Sequence, residues 1–211
     1  MFTGIVEDIG TVVSVRPHGN YRVLSIASRL VEQDMRIGES ICCDGACLTV
    51  VSFDRDSFEV EASQETLART VAGDYRAGTR LNLERALRAD SRMGGHLVTG
   101  HIDDCGTIVS ILPIGESLEL KIGYRSEFDR YLVAKGSIAI HGVSLTVNEA
   151  WSGGMSVNLI PHTLKATTLG VLSRGDRVNL EFDIIGKYVS RLSSSYEHNA
   201  ITLEKLRESG W

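Results

Sequence analysis

The amino-acid sequence contains two copies of one pattern, and this internal repeat constrains the fold more than any other feature. Residues 3–15 (TGIVEDIGTVVSV) recur at 99–111 (TGHIDDCGTIVSI), with 7 of 13 positions identical. In the same order, 40–50 (SICCDGACLTV) recurs at 137–147 (SIAIHGVSLTV), 65–67 (ETL) at 162–164 (HTL) and 78–84 (GTRLNLE) at 175–181 (GDRVNLE). The offset of 96 or 97 residues is the size of a small domain and exceeds the unit of a solenoid repeat. The repeat therefore predicts two similar domains in tandem.

Length and charge restrict the classes of partner. A chain of 211 residues is long enough for two domains of roughly 100 residues each. A net charge of -5 without runs of like charge argues against nucleic-acid and anionic-membrane surfaces. The first seven residues (MFTGIVE) show no basic segment followed by an apolar one, and no stretch approaches the ~20 apolar residues of a membrane span. We expect a cytoplasmic protein with neither a nucleic acid nor a membrane as partner.

The cysteines predict neither disulfides nor a metal site. Cys42, Cys43, Cys47 and Cys105 do not form a disulfide framework, and a reducing compartment would keep them as thiols. The spacing Cys42-Cys43-x3-Cys47 lacks the paired C-x2-C of structural zinc sites, so we expect no metal.

Short apolar runs rich in Val, Ile and Leu, broken by Gly, Asn and Asp, indicate a small antiparallel barrel or sandwich in each copy. Asp44-Gly45 and His141-Gly142 each separate two such runs, which predicts tight hairpin turns with positive φ. A short helix should follow a cap at Ser63, and its counterpart should have Pro161 in its first turn. In copy one the expected strands lie near Ile5 to Asp8, Gly10 to Val15, Arg22 to Ala27, Ser40 to Cys43, Ala46 to Ser52, Ser57 to Ala62 and Arg80 to Glu84, and copy two repeats them.

The domain boundaries follow from the repeat. Because Leu97 aligns with Met1, we expect domains at 1–96 and 97–184, almost no linker, and approximate two-fold packing of the two units. Residues 185–211 have no counterpart in copy one. Apolar residues at three- and four-residue spacing predict an amphipathic helix from Ile185 to about Glu197, and a second helix should begin near Ile201 with Thr202 as its cap. The apolar stripe fits either the protein's own barrels or copies of itself from other subunits.

Positions where the copies differ are candidates for chemistry. Cys47 aligns with Ser144: a strand cysteine is usually a small buried hydrophobe, but a thiol or hydroxyl in both copies indicates the wall of a pocket. His101 aligns with Ile5 and is either structural or a proton carrier present on one side only. Asp183 aligns with Ala86 and is either a helix cap or a carboxylate of the site. The remaining candidates have simple structural explanations: His141 as a turn residue, His162 as a polar residue of a first helical turn, and Lys135, opposite Gly38, as solvated surface.

These motifs together resemble riboflavin synthase of the alpha-type, duplicated-barrel family, over Met1 to about Asp183. The match rests on MFTGIVE at 1–7, GGHLVTGHID at 94–103, the pair GACLTV and GVSLTV, the pair ETL and HTL, and the pair LNLE and VNLE. The resemblance implies an all-β fold of two tandem six-stranded antiparallel Greek-key barrels related by pseudo-two-fold symmetry, plus a C-terminal α-helix that holds a homotrimer together. It leaves an association with lumazine synthase open.

The resemblance also implies a cofactor-free reaction. Two molecules of 6,7-dimethyl-8-ribityllumazine would stack between the N-barrel of one subunit and the C-barrel of its neighbour. One gives a four-carbon unit to the other, which yields riboflavin and 5-amino-6-(ribitylamino)uracil. Because the lumazine ring delocalises the carbanion formed at its 7-methyl group, the enzyme mainly needs positioning and proton management.

Site residues follow from the resemblance, motif by motif. His101 is expected to act as base or proton shuttle, Cys47 as nucleophile or donor, Ser144 and Thr146 as hydrogen-bonding partners of the second ring, and Asp183 as a supporting group. The N-barrel pocket would comprise Gly4, Ile5, Val6, Cys47, Leu48, Thr49, Glu61, Ala62, Ser63, Gln64, Glu65 and Thr66. The C-barrel pocket would comprise Gly100, His101, Ile102, Ser144, Leu145, Thr146, Asn158, Leu159, Ile160, Pro161, His162 and Thr163, with Lys135 nearby.

Two other classes of protein compete with this interpretation. The lumazine proteins associated with bioluminescence share the fold and hold one fluorescent ligand without catalysis, but they resemble this chain less. A flavin-dependent oxidoreductase would need a nicotinamide-binding α/β domain, and the sequence has no Gly-rich strand-to-helix turn of that type.

Overall fold

The first barrel is built from six antiparallel strands. The computed structural model describes residues 1–32 and 34–197, and side chains only as far as residue 193. The strands are β1 (Asp8–His18), β2 (Tyr21–Ala27), β3 (Ser40–Cys43), β4 (Ala46–Phe53), β5 (Ser57–Ser63) and β6 (Arg80–Arg85). They close in the order β1-β2-β5-β4-β3-β6, in which β5 pairs with β2 across the intervening hairpin, as in a Greek key.

The second barrel repeats the first. Its strands are β7 (Asp104–Ile114), β8 (Ser117–Gly123), β9 (Ser137–Ile140), β10 (Val143–Trp151), β11 (Gly154–Leu159) and β12 (Arg177–Phe182). The order β7-β8-β11-β10-β9-β12 is the same as in the first barrel, with six added to each strand number. Even the breaks in register correspond, between Val12 and Ser14 in β1 and between Ile108 and Ser110 in β7. The predicted pair of six-stranded antiparallel barrels is confirmed.

Alternating side chains explain why these strands form closed barrels. Along β5, Phe58, Val60 and Ala62 are fully buried while the residues between them are partly exposed, which is the period-2 pattern of a half-buried strand. Each barrel has its own apolar core, and a small third cluster of Phe2, Cys42, Val98 and Ala139 lies between them. Closure leaves no unpaired edge strand in either sheet.

The predicted hairpin turns are confirmed. Asp44 and Gly45 have φ of 45° and 89°, and His141 and Gly142 have φ of 48° and 74°, as a two-residue primed turn requires. These two turns touch: a Cβ built on Gly45 would lie 2.9 Å from the backbone nitrogen of Gly142. The turns therefore mark where the barrels meet, close to the approximate two-fold axis.

Helices occupy equivalent places in the two copies. The helix α1 (Gln64–Arg69) has Ser63 as its cap, and α2 (Pro161–Ala166) begins with a proline, both as predicted. Four short 3-10 helices lie at Arg29–Glu32, Val71–Asp74, Ser126–Tyr131 and Thr168–Val171. The predicted amphipathic helix is confirmed as α3 (Ile184–Glu197), whereas the second helix expected at Ile201 lies outside the described residues. In the described part of the chain, none of the helices has both the length and the apolarity that crossing a bilayer requires.

Two expectations about the ends of the barrels are wrong. Ile5 to Glu7 are not a strand, because Gly4 at φ 77° turns the chain toward the other barrel and pairing in β1 starts only at Asp8. A linker exists, because β6 ends at Arg85 and residues 86–96 then run along the N-terminal segment. Leu87 N–H donates to the Met1 carbonyl at 2.9 Å and His96 N–H to the Thr3 carbonyl at 3.1 Å.

Two asparagines cross the interface between the barrels and bond to the opposite one. The Asn82 amide donates to the His141 carbonyl at 3.0 Å and accepts from Thr168 N–H at 2.7 Å. Asn179, in the second barrel, makes the equivalent bonds to the first barrel: it donates to the Asp44 carbonyl at 2.8 Å and accepts from Val71 N–H at 2.8 Å. Both side chains are buried, so these four bonds satisfy backbone groups that are shielded from water.

Candidate active site

A buried carboxylate holds the Thr3-Gly4 turn at the end of the first barrel. One Glu84 oxygen accepts from Thr3 N–H at 2.6 Å and from the Thr3 hydroxyl at 2.7 Å, and the other accepts from Gly4 N–H at 2.9 Å. Burial raises the pKa of the Glu84 carboxyl, and the hydrogen bonds from Thr3 and Gly4 oppose that rise. The last strand of the barrel therefore fixes where the N-terminal segment leaves it.

The same arrangement recurs in copy two. Glu181 accepts from Thr99 N–H and from its hydroxyl at 2.6 Å each, and from Gly100 N–H at 2.9 Å. Burial also raises the pKa of Glu181, opposed by the bonds from Thr99 and Gly100 and by the charge of Lys187. Neither glutamate was predicted as a site residue, although both end the repeated motif NLE.

The residues that follow each of these turns, Gly4-Ile5-Val6 and Gly100-His101-Ile102, contact the opposite barrel. Ser144 N–H donates to the Gly4 carbonyl at 2.8 Å, and Cys47 N–H donates to the Gly100 carbonyl at 2.9 Å. Val6 packs against the core of the second barrel, and Ile102 approaches the Asp44-Gly45 turn of the first. The predicted grouping is therefore wrong: the structure places the segment Gly4-Ile5-Val6 with Ser144, and the segment Gly100-His101-Ile102 with Cys47.

The outward face of β4 and β5, which we call the N-shelf, consists of Cys47, Thr49 and Glu61. Cys47 is half-buried, Thr49 is exposed, and Thr49 pairs with Glu61 across the two strands. Leu48 and Ala62 point inward into the core, which leaves only their backbone for contact with a ligand. At the end of β5, the Ser63 hydroxyl caps α1 by accepting from Thr66 N–H at 3.1 Å, and the next two residues, Gln64 and Glu65, are exposed.

The equivalent C-shelf consists of Ser144, Thr146 and Asn158 on β10 and β11. Ser144 is half-buried, whereas Thr146 and Asn158 are exposed, and Leu145 and Leu159 fill the barrel core between them. Beyond the shelf, Ile160 is 55% exposed, His162 is exposed in the first turn of α2, and Pro161 and Thr163 are half-buried. Both shelves thus offer short polar side chains beside an accessible surface.

The charged candidates take different positions. His101 is exposed and follows the Thr99-Gly100 turn that Glu181 holds. Its N–H lies 3.3 Å from the Thr99 hydroxyl. Asp183 is half-buried and caps α3 by accepting from Ile185 N–H at 3.0 Å, which agrees with its structural explanation. Lys135 is exposed in a turn at φ 67°, as its counterpart Gly38 is at 88°. His141 is buried, and its Nδ1 accepts from Asn179 N–H at 3.3 Å.

His96 lies beside Ser144 of the C-shelf, and the sequence did not predict it as a site residue. Its Nδ1 lies 2.7 Å from the Ser144 hydroxyl, and the side chain is buried. Burial lowers the pKa of His96, opposed by the charge of Asp183. In the sequence His96 marks only the domain boundary, since it has no counterpart in copy one.

Neither shelf has the features of a metal centre. Among residues 1–32 and 34–197, no group of three or more His, Cys, Asp and Glu side chains is placed to hold a metal ion. A cavity of about 630 Å³ lies between the N-terminal segment and the linker, lined among others by Ile5, Arg85, Arg92 and Gly94. Cys47 and Ser144 do not line this cavity.

Two barrels of this topology, each presenting an outward polar shelf completed by a segment of the other copy, define a duplicated ligand-binding-barrel protein. The family model "Lumazine binding domain" matches residues 3–86 and 99–183. A structure of LumP complexed with riboflavin superimposes with a TM-score of 0.78 at 25% identity, covering 86% of this chain and 99% of that one. A second LumP structure, complexed with 6,7-dimethyl-8-(1'-D-ribityl) lumazine, gives a TM-score of 0.77 at 23% identity with the same coverage.

Curated relatives are similar over the whole chain. The riboflavin synthase of Actinobacillus pleuropneumoniae is 39% identical over 215 residues, covering all of both chains. That of Bacillus subtilis is 36% identical with the same coverage, and that of Mycobacterium tuberculosis is 43% identical over 92% of this chain and 99% of its own. The chain belongs to the riboflavin synthase family and is an enzyme of riboflavin biosynthesis.

Proposed function

We propose that the chain catalyses the cofactor-free dismutation of two 6,7-dimethyl-8-ribityllumazine molecules. One substrate transfers a four-carbon unit to the other, which gives riboflavin and 5-amino-6-(ribitylamino)uracil. The observation that carries the proposal is the presence of two shelves with the same construction and different reactive groups. Two identical substrates require two similar sites, and their different fates as donor and acceptor require unequal chemistry.

The residues of the two shelves divide this chemistry. On the N-shelf, Cys47 provides a nucleophile or hydrogen-bond donor, and His101, on the segment that crosses to it, moves a proton. On the C-shelf, Ser144 and Thr146 form hydrogen bonds with the second ring. Asp183 supports them through its negative charge. The remaining predicted residues bind the substrate, with Lys135 near the C-shelf. The proposed domains are 1–96, which includes the linker, and 97–184, followed by the C-terminal segment 185–211, of which the structure describes α3 as far as Glu197.

A homotrimer would bring the N-shelf of one subunit against the C-shelf of the next, so that the two rings can stack. Support comes from α3, whose stripe is 58% exposed at Ile185, 67% at Tyr188, 56% at Val189 and 61% at Leu192. The other side of the helix faces its own barrel, since Lys187 forms an ion pair with Asp103 at 2.5 Å. The stripe is thus not covered by the described part of its own chain, which favours the second of the two predicted partners, other subunits.

Charges on this stripe are expected to dissociate the trimer. Tyr188→Glu with Leu192→Glu places two carboxylates where apolar surfaces would meet, so association should weaken by more than about a hundredfold. Sedimentation velocity should show a trimer for the wild type and a monomer for the variant. Val171→Glu changes an apolar residue that is also 67% exposed, and it should remain a trimer. A trimeric double variant would contradict the proposed role of α3.

Stoichiometry tests the function directly. The purified chain should convert 6,7-dimethyl-8-ribityllumazine to riboflavin without oxygen or any added cofactor, with two lumazines consumed per flavin formed. Because the fold is similar to that of LumP, storage of a bound ligand without catalysis is the second candidate function. A protein that binds lumazine and forms no riboflavin would support storage and refute the proposed reaction.

His101→Ala is expected to lower turnover about a hundredfold, because the N-shelf loses its proton carrier. The exposed side chain makes few packing contacts, so the variant should fold and bind substrate with little change in affinity. Single-turnover rates and fluorescence titration separate these two effects. Glu116, which is exposed in the turn between β7 and β8, provides the control Glu116→Ala, which should keep the wild-type rate. Full turnover in His101→Ala would refute the role of His101.

We also propose that the enzyme is located in the cytoplasm. Cys42, Cys43, Cys47 and Cys105 are free thiols in the structure, which suits the reducing cytoplasm. Association with lumazine synthase stays a prediction, which co-purification of the two proteins would test.

A further inference from the structure

Ser144 of the C-shelf is hydrogen-bonded to a histidine, and the N-shelf has no such pair among the described residues. The Ser144 hydroxyl and His96 Nδ1 are 2.7 Å apart, although His96 lies on the linker and Ser144 on β10. In copy two, the chain that follows β12 becomes α3 instead of a linker. Cys47, the counterpart of Ser144, is thus left without an equivalent histidine in the described part of the protein. The difference between the shelves therefore extends beyond the residues that the repeat aligns.

The contact is built by a specific local structure. His96 N–H donates to the Thr3 carbonyl at 3.1 Å, and Ser144 N–H donates to the Gly4 carbonyl at 2.8 Å, so one clamped turn positions both residues. Gly95 lets the linker pass directly over the serine, since a Cβ there would lie 2.7 Å from Ser144 Cβ and 2.8 Å from its Oγ. A larger residue at position 95 would push the histidine away.

The environment favours an uncharged ring. His96 is 9% exposed, and its Nε2 has no hydrogen-bond partner among the described residues. Burial lowers the pKa of His96, and the charge of Asp183 limits the effect. A neutral imidazole carries one hydrogen, so its Nδ1 either donates to the serine or accepts from it.

We propose that His96 is the positioning residue for Ser144: its Nδ1 accepts the hydroxyl hydrogen and holds the oxygen in one rotamer, with its lone pairs available to a ligand on the C-shelf. This inference rests on the proposed function of that shelf. The ring hydrogen is then on Nε2. Since hydrogen bonds in a chain polarise one another, a serine that donates to His96 accepts a hydrogen from a ligand more strongly. His96 acts through Ser144 and does not itself need to touch the substrate.

A double-mutant cycle tests whether His96 acts through Ser144. His96→Ala should lower kcat roughly tenfold or more with KM changed less than about twofold, because an oriented polar group is lost while the ring-binding surface remains. His96→Asn keeps a polar group close to the position of Nδ1 and should recover most of the rate. In a Ser144→Ala background, His96→Ala should cost nothing further. Equal losses in both backgrounds would show an independent structural role and overturn the proposal.

Nitrogen NMR of the imidazole tests the pair without catalysis. We expect an unprotonated Nδ1 and a protonated Nε2 in the wild-type protein, and a changed Nδ1 signal in Ser144→Ala and on titration with riboflavin. His18→Gln removes the signal of an exposed histidine and provides an assignment control. A protonated Nδ1, or a signal that does not respond to Ser144→Ala, would overturn the proposal. A wild-type protein that makes no riboflavin would refute the proposed function, whereas the tautomer would still show whether the pair exists.

Discussion

Replacing Asn82 and Asn179 together by alanine is expected to lower the free energy of unfolding by about 6 kcal/mol, because four buried backbone groups lose their partners at roughly 1–3 kcal/mol each. These groups are the carbonyls of His141 and Asp44 and the N–H groups of Thr168 and Val71. A domain of this size is stabilised by about 5–15 kcal/mol, so the double variant should be close to unfolding. Each single variant should lose about half as much.

Urea unfolding followed by fluorescence and circular dichroism would measure this effect. Because the asparagines join the barrels and lie outside the barrel cores, the double variant should also separate the unfolding of the two barrels into distinct transitions. Asn20→Ala, at an exposed position of the β1–β2 turn, should change stability by less than about 0.5 kcal/mol. A double variant within about 1 kcal/mol of the wild type would show that the crossed amides add little beyond the apolar contacts between the barrels.

Local patterns predicted most of the strands and the turns but left a barrel or a sandwich open, and the resemblance to the family implied the six-stranded barrels. Alternation of apolar residues and the Asp44-Gly45 and His141-Gly142 turns are properties of a few neighbouring residues, and both were confirmed. The strand predicted at Ile5 failed for the opposite reason. Its β-branched residues Ile5 and Val6 suit a strand, but the glycine before them turns the segment toward the other barrel. Nothing near it in the sequence indicates that destination.

The sequence predicted residues of the two shelves but not the glutamates that hold the turns. Cys47 and Ser144 are indicated by the exchange of a thiol for a hydroxyl between the copies, whereas nothing in the shared motif NLE indicates that Glu84 and Glu181 accept hydrogen bonds from residues about 80 positions away. The repeat also allows two assemblies, in which each segment completes its own barrel or the other one. Only the contacts of Gly4 with Ser144 and of Gly100 with Cys47 distinguish them.

Those contacts give the second large prediction, which concerns Gly100. Gly100 has φ 85°, and a Cβ there would collide with the Cβ of Cys47 and lie 2.9 Å from its backbone nitrogen. Gly100→Ala should therefore displace both Cys47 and the adjacent His101. Since a misplacement of about 1 Å can cost a hundredfold in rate, the loss of both groups should lower kcat/KM about a thousandfold.

Gly78→Ala separates backbone strain from the collision. Gly78 has φ 89°, but a Cβ added there would have no other atom within 4 Å, so alanine should cost about 1 kcal/mol of stability and leave turnover near the wild type. Gly4→Ala makes the matching change at the C-shelf, where the Cβ would lie 2.6 Å from Ser144 Cβ. Riboflavin titration should then show one lost site per chain in either variant, the N-shelf in Gly100→Ala and the C-shelf in Gly4→Ala. Loss of the same site in both would mean that the segments do not cross between the barrels.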